Sequence, residues 1–419
     1  MTLGFWRSWS LVVGMMIGSG IFTLPAVLAP YGGNSFIAWA VAVVGALSLV
    51  FSLSYLSARN PRAGGPQAFV LEAFGRQAAI IVAWGYWISV LVAVAAIALS
   101  FAGYLAVFLP VLESNQLYSS AAAIVVVWIF TLISLRGTEE ASIVQLVTSI
   151  LKILPLLLIG VCGLALGDFS SIENGNPKQE SFPTMISGIL LLIMWSYIGI
   201  ESATIPAEDT IDPKKTIPRA LLAGTLTATA VYVISLLGVM SLLPMNELAS
   251  SQHPFSDAAK SIFGASGAWF IAVGALISIG GALNACVFLT GVVPSAGAND
   301  RLFPRWLGDE GSGGSEDSSN KGAEEGTIGR RAILFSSTLA TLLIMTNAHK
   351  GLLKSFELMI LVSTFSVLIA YLGAALASVK LQWADREKGV AVNSVTFANS
   401  LLASAFSAFA LFGAWSLYN

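Results

Sequence analysis

Apolar residues run along this chain in long stretches, separated for the most part by short polar connections. A window of about 19 residues predicts eleven spans, near 8–29, 36–57, 77–109, 118–135, 142–166, 184–207, 218–243, 266–297, 332–347, 355–378 and 392–418. The third and eighth exceed the roughly 20 residues that cross a bilayer, so they are expected to tilt or to continue beyond it. The predicted class is an all-α membrane protein whose surroundings are the lipid bilayer.

Two of the runs are interrupted. Between Val13 and Pro25 the first carries Gly18-Ser19-Gly20 at membrane depth, where each glycine costs roughly 1 kcal/mol relative to alanine. Unwinding there frees peptide N–H and C=O groups that only a ligand, an ion or other protein groups can satisfy. The run 184–207 holds Gly199 and the carboxylate of Glu201 in mid-segment, with Pro206 shortly after. Matching breaks five spans apart are the sign of an inverted five-plus-five repeat, here about 8–166 and 184–378, with a site between the repeats near the midplane. Half-helix N-termini suit a carboxylate and unwound carbonyls an ammonium. A zwitterionic amino acid satisfies both.

Composition sharpens this picture. Hydrophobic residues make up 56% of 419 positions and charged residues 11%, against about 25% charged in soluble chains. The net charge of −2 argues neither for nucleic acid nor for a general affinity for acidic partners, and no nucleic acid is expected. The first span is too long for a signal peptide, lacks a small-residue cleavage site and is followed by further spans. Cys162 and Cys286 both lie in apolar stretches, so no disulfide, metal site or cofactor is expected. With the N-terminus in the cytoplasm, most of the 21 lysines and arginines fall inside, and only Lys178, Lys260, Lys350 and Lys354 fall outside. The Gly/Ser/Glu-rich stretch 308–329 reads as a disordered cytoplasmic loop. Residues 1–378 read as a ten-span transport core and 392–418 as an additional C-terminal span.

Few residues carry candidate chemistry. Lys152 sits about ten residues, roughly 15 Å, into the fifth span, where an unpaired charge costs at least ~2.5–3.5 kcal/mol. Glu201 is the other ionisable group within a span, a candidate for proton coupling or for bonding loose backbone at the break. Tyr86 is expected to line the cavity. His253 and His349 fall in outside loops, and Glu208 and Asp209 read as loop charges. No nucleophile–base pair or metal motif such as His-Glu-x-x-His occurs on the spans, which argues against an enzyme. Two isolated breaks without rings of polar residues argue against a channel.

The stretch Gly18-Ser19-Gly20-Ile21-Phe22 with Pro25, the run from Trp195 to Glu201, and Asp212-Pro213-Lys214-Lys215 with Ile217-Pro218-Arg219 resemble the amino acid–polyamine–organocation transporters, most closely the arginine/agmatine antiporter and the L-type exchangers. The resemblance runs from the first span through the eighth. It implies the leucine-transporter-type fold and secondary active transport by alternating access in the cell membrane. It further implies that N–H groups around Ser19 and Gly20 hold the substrate carboxylate. The carbonyls of Met16, Trp195 and Ile198 would hold its amino group, with Ile17, Gly18 and Gly199 completing the breaks and Trp195 closing over the substrate as a gate. By the same resemblance Lys152 stands where sodium-coupled relatives bind a cation, and Glu201 matches a glutamate of the antiporter.

Three positions depart from the arginine/agmatine antiporter. Met15 and Val94 replace asparagines, and Cys286 replaces a tryptophan that packs on the guanidinium. A lost cation–π partner is worth roughly 0.5–2 kcal/mol. A neutral amino acid is therefore the expected substrate, sodium-independent, by exchange or proton-coupled uptake; the alternatives are a basic amino acid/polyamine antiporter or a transporter-like sensor. The family usually has twelve spans, the last two serving subunit contacts, which leaves a homodimer open.

Overall fold

The computed structural model describes residues 3–61, 65–135, 141–205, 207, 210–307, 329–390 and 392–418, with the side chains at 19, 141–148, 171, 296, 299 and 415–418 outside the description. The loop expected to be disordered, from 308 up to 328, and Pro206, Glu208 and Asp209 lie outside the described residues. Fifteen α-helices follow in order: α1 Phe5–Met16, α2 Ser19–Leu28, α3 Asn34–Arg59, α4 Pro66–Phe74, α5 Arg76–Leu105, α6 Val111–Ser114, α7 Gln116–Leu135, α8 Ala141–Leu166, α9 Phe182–Met194, α10 Pro213–Leu242, α11 Met245–Ser250, α12 Pro254–Asn299, α13 Arg330–Asn347, α14 Leu352–Glu387 and α15 Ser394–Tyr418. Among the described residues, ten stretches are long and apolar enough to cross a membrane, α1 and α2 counting together, and the shorter apolar helix Phe182–Tyr197 supplies the predicted sixth span. The fold is that of a multi-pass helical membrane protein with its first and sixth spans broken.

Burial sorts the helices into an inside and a lipid-facing ring. In the most apolar window of the first span 88% of residues are buried and in α5 78%, against 33% in α13 and α15. The enclosed helices have no polar face to offer because they have no water to face. Even so, α15 is fastened to the core. Gly45 of α3 leaves the space that the Phe406 ring fills, and Gly413 lies against the Ser187 carbonyl of α9, where an added Cβ would come within 2.3 Å. At the same junction the Gln382 amide donates to the Ser378 and Ser400 hydroxyls, which bond each other, and Ser52 donates to Ser400.

Counting crossings places the loops on two faces. The Phe5 face holds the end of α3, the start of α5 and the end of α14. There Arg59 pairs with Asp385 (3.0 Å) and with Glu72, and Tyr55 donates to Asp385 (2.5 Å). The opposite face holds the end of α2, α6, α11 and the start of α12. The predicted eighth span, 266–297, is longer in the structure: α12 begins at Pro254, and Gly264, with φ +68°, bends it where the surface turn gives way to the span.

Candidate functional site

The first break is two residues long. Helix α1 closes with the Ile17 N–H on the Val13 carbonyl (2.8 Å) and the Gly18 N–H on the Met16 carbonyl (3.0 Å), and α2 restarts at Ser19 with no side-chain cap. The first N–H groups of α2 therefore have no partner within the helix, and they stand at its positive end. A side chain would be crowded at both edges. A Cβ on Gly18 would come 2.8 Å from that of Ala282, and one on Gly20 2.9 Å from the Trp195 ring.

The second break is longer and internally bonded. Beyond Met194 the chain tightens into a 3-10 turn, Trp195–Tyr197, runs extended through Ile198, and reverses at Gly199 with φ +104° before a second turn, Ser202–Thr204. Ile198, Ile200 and Ser202 each donate to a carbonyl three residues back. Tyr232 donates to the Ser196 carbonyl at 3.2 Å and Tyr371 to that of Tyr197 at 3.4 Å. A side chain at Gly199 is doubly excluded, because its φ is left-handed and a Cβ would lie 2.8 Å from the Cβ of Met15.

Between the breaks lies a cavity of about 40 Å³. The broken spans contribute Met15, Met16, Gly18, Gly20, Trp195 and Ile198; α5 and α12 complete it with Ala93, Ile97, Ala282 and Cys286. Since one water needs about 10–15 Å³ of such space, the cavity has room for only a few. An amino acid with a long side chain requires the walls to move, and the unbranched Met15 and Met16 are the adaptable ones. Two buried donors at this spot have no partner, the Trp195 indole N–H and the Ser196 hydroxyl. Both lie beside Gly20, at 3.0 and 3.5 Å from where its Cβ would be.

Of the predicted site residues, Met16, Gly18, Gly20, Trp195, Ile198 and Cys286 bound this cavity. Ile17 is fully buried within the break and Gly199 forms the turn behind it, neither on the cavity wall; the Ser19 side chain is outside the described set. Tyr86 is not among the residues that line this cavity; it lies about two helical turns from Ala93 on α5, and its hydroxyl donates to the Glu201 carboxylate at 2.7 Å. Val94 is likewise off the wall, which Ala93 and Ile97 form instead. The sequence reading missed Tyr371 of α14, which donates to the other Glu201 oxygen at 2.6 Å; a tyrosine within the tenth run was its only signal.

Lys152 and Glu201 are the charged residues that are fully buried among those described, and neither joins an ion pair. Neutral groups satisfy them. The Lys152 ammonium donates to the Gly14 carbonyl at 3.1 Å, just before the first break, and lies against Gly281 of α12. Glu201 accepts from two phenols, the geometry of an acceptor-only carboxylate. Among the described residues there is no cluster of His, Cys, Asp and Glu able to hold a metal.

A membrane bundle with two facing breaks, a small cavity at a half-helix N-terminus and buried ionisable groups of both signs near it has the build of a solute carrier. The chain belongs to the amino acid permease family, whose model matches residues 3–417; it is a transporter and not an enzyme. It is similar to a cadaverine/lysine antiporter of Escherichia coli K12, 29% identical over 423 residues that cover 99% of this chain and 90% of that protein. An arginine/ornithine antiporter of Pseudomonas aeruginosa PAO1 is 32% identical over 308 residues, 71% of this chain and 64% of its own length. One from Latilactobacillus sakei is 29% identical over 395 residues, 91% and 79%.

Proposed function

We propose that this chain is a sodium-independent antiporter of the cell inner membrane, its N-terminus in the cytoplasm, exchanging a cationic amino acid for a related organic cation by alternating access. The observation that carries the reading is the cavity at the α2 N-terminus, where uncapped backbone N–H groups meet the unpartnered Trp195 and Ser196 donors. Donors buried without partners cost about 1–3 kcal/mol each, and a substrate carboxylate would satisfy them together with the backbone. Carbonyls of Met16, Trp195 and Ile198 would take the α-ammonium, and Trp195 would close over it. The relatives, named as exchangers of lysine, arginine, ornithine and cadaverine, support a cationic substrate over the neutral one that the sequence departures suggest. Glu201, a buried carboxylate with no cationic partner among the described residues, supports the same choice and is the candidate proton carrier. Lys152 would hold the place of a sodium ion against the first break. The lysine and arginine bias supports the orientation.

A second reading is favoured by one observation. The wall opposite the breaks, Ala93, Ile97, Ala282 and Cys286, offers no hydrogen-bond acceptor of strength and no aromatic face, which suits a neutral, apolar side chain.

Counterflow of labelled lysine into proteoliposomes loaded with unlabelled lysine, cadaverine, ornithine or leucine separates the two. Fast exchange with the cationic loads and little with leucine is expected, unchanged when sodium replaces potassium. Counterflow of labelled leucine against a leucine load, with no entry of labelled lysine, would establish the second reading, and binding without flux of either a sensor.

A further inference from the structure

On the face opposite Phe5, two contacts tie the start of α12 to the elements around the broken first span. His253, immediately before α12, is enclosed, with 13% of its side chain exposed, and lies between two carboxylates: its Nδ1 is 3.0 Å from Asp257, one turn into α12, and its Nε2 4.0 Å from Glu113 of α6. The Ser251 hydroxyl donates to the other Asp257 oxygen at 2.5 Å and accepts from the His253 N–H at 3.2 Å. Two residues on, the Phe255 N–H donates to the Tyr104 hydroxyl of α5 (3.3 Å), which donates to the Phe22 carbonyl of α2 (2.8 Å). The Phe22 ring meets those of Tyr104 and Phe255 edge-on at 5.7 and 5.5 Å. Gly103 admits this approach, since a Cβ there would come 2.7 Å from the Gln252 carbonyl.

We propose that His253 is a positioning residue for α2, the outer half of the broken span, and that it releases this half-helix when it loses its proton. The inference rests on the alternating-access reading and on the orientation that puts this face outside. Protonated, His253 bridges Glu113 and Asp257 and holds the first turn of α12 on Tyr104 and Phe22, closing the outer route to the cavity. Neutral, it withdraws the positive charge that stands between the Glu113 and Asp257 carboxylates, and the repulsion of like charges is then no longer offset. The charged and titratable groups around it are Glu113 from α6, Asp257 from α12 and, at the adjoining contact, the Tyr104 phenol of α5. Burial alone disfavours the charge on His253, but the two carboxylates outweigh it and hold its pKa above the ordinary value. A raised pKa means that the clasp is fully made below about pH 6.5, the free-histidine value, and is lost as pH rises through the folded one.

The test reads outer opening at Cys286, a natural thiol on the cavity wall, in a Cys162→Ser background. A membrane-impermeant maleimide is added outside vesicles of known sidedness at pH 5.5 and 8.5, comparing His253→Gln with the unsubstituted residue. Thiol reactivity itself changes with pH, but equally in both proteins, so the ratio of their labelling rates is the measure. We expect the Gln variant to label about fivefold faster at pH 5.5 and equally at pH 8.5, and Glu113→Gln to shift the pH 5.5 rate in the same direction. Equal rates for His253→Gln at both pH values would overturn the proposal. Cys286 that labels from neither side during active exchange would instead overturn the alternating-access reading on which it rests.

Discussion

The two broken spans solve the same problem, backbone freed within hydrocarbon, in opposite ways. The first breaks over two residues, repairs almost nothing and restarts α2 uncapped with its amides at the cavity. The second spreads over about ten residues, stitches itself into 3-10 turns and is buttressed by Tyr232 and Tyr371. The first break is thus an open set of donors awaiting a partner, while the second is a pre-formed frame that carries side chains, Trp195 on the cavity and Glu201 behind it. An unsatisfied buried amide is expensive, so the chain leaves such groups where the substrate is proposed to sit and pairs those of the frame.

If the second break is the rigid one, disturbing its turn has the largest consequence. Gly199→Ala forces a left-handed residue with a side chain, costing roughly 1–3 kcal/mol, and drives its Cβ to 2.8 Å from Met15, whose backbone carbonyl carbon stands 3.3 Å away. Counterflow is expected to fall by more than 100-fold in protein that still elutes as a monodisperse peak, and near-normal flux would show that this turn is not held as described.

Lys152 tests whether the first break is steadied from outside. Lys152→Met keeps the volume and removes the donor to the Gly14 carbonyl, and an unpaired buried acceptor costs about 1–3 kcal/mol. A drop in flux of about 10- to 100-fold is expected, with wild-type flux indifferent to sodium. Wild-type uptake that requires sodium would remove the role proposed for this ammonium.

Both breaks, Lys152 and Glu201 are legible in the sequence because glycine pairs and charges are anomalous inside long apolar runs, and anomalies survive the absence of any periodic signal. The same uniformity hid the rest. Around Val92-Ala93-Val94 every face of α5 is apolar, so nothing in the pattern marks which residue turns to the cavity, and a shift of one position rotates a side chain by about 100°. Ala93 and Ile97 face it, not Val94. Tyr86 was ambiguous and Tyr371 went unnoticed for a related reason, as a tyrosine in an apolar span suits a wall, a packed core or a polar tether, and only the meeting of α5, α14 and the second break on Glu201 shows what they bond. The start of α12 at Pro254 escaped the hydropathy window because its first turns carry Ser256, Asp257, Lys260 and Ser261 ahead of the bend at Gly264.

Gly20→Ala probes the side of the first break that touches the second. Its Cβ would meet the Trp195 ring at 2.9 Å, but a ring can swing where a backbone cannot, so the expected loss is about tenfold in apparent affinity, or ~1.4 kcal/mol. Trp195→Phe in the same chain should return part of it. Coupling of this kind between contacting residues is worth about 0.5–3 kcal/mol, and strict additivity would mean that the indole does not lie where it limits Gly20.

The smallest effect tests how the frame holds its charge. Tyr371→Phe removes the donor to one Glu201 oxygen and leaves Tyr86 on the other. One such bond to a charged group contributes about 1.5–3 kcal/mol, and part of that returns when a water or the second phenol adjusts, so flux is expected to fall about threefold to fivefold. The informative readout is the pH profile. If Glu201 carries the proton, the lost donor withdraws support from its ionised form, and the descending acid limb of the profile moves to higher pH in Tyr371→Phe and again in Tyr86→Phe. If the tyrosines only tie α14 and α5 to the second break, the rate falls while the profile stays in place, and the second break is scaffold alone, with the proton passing elsewhere.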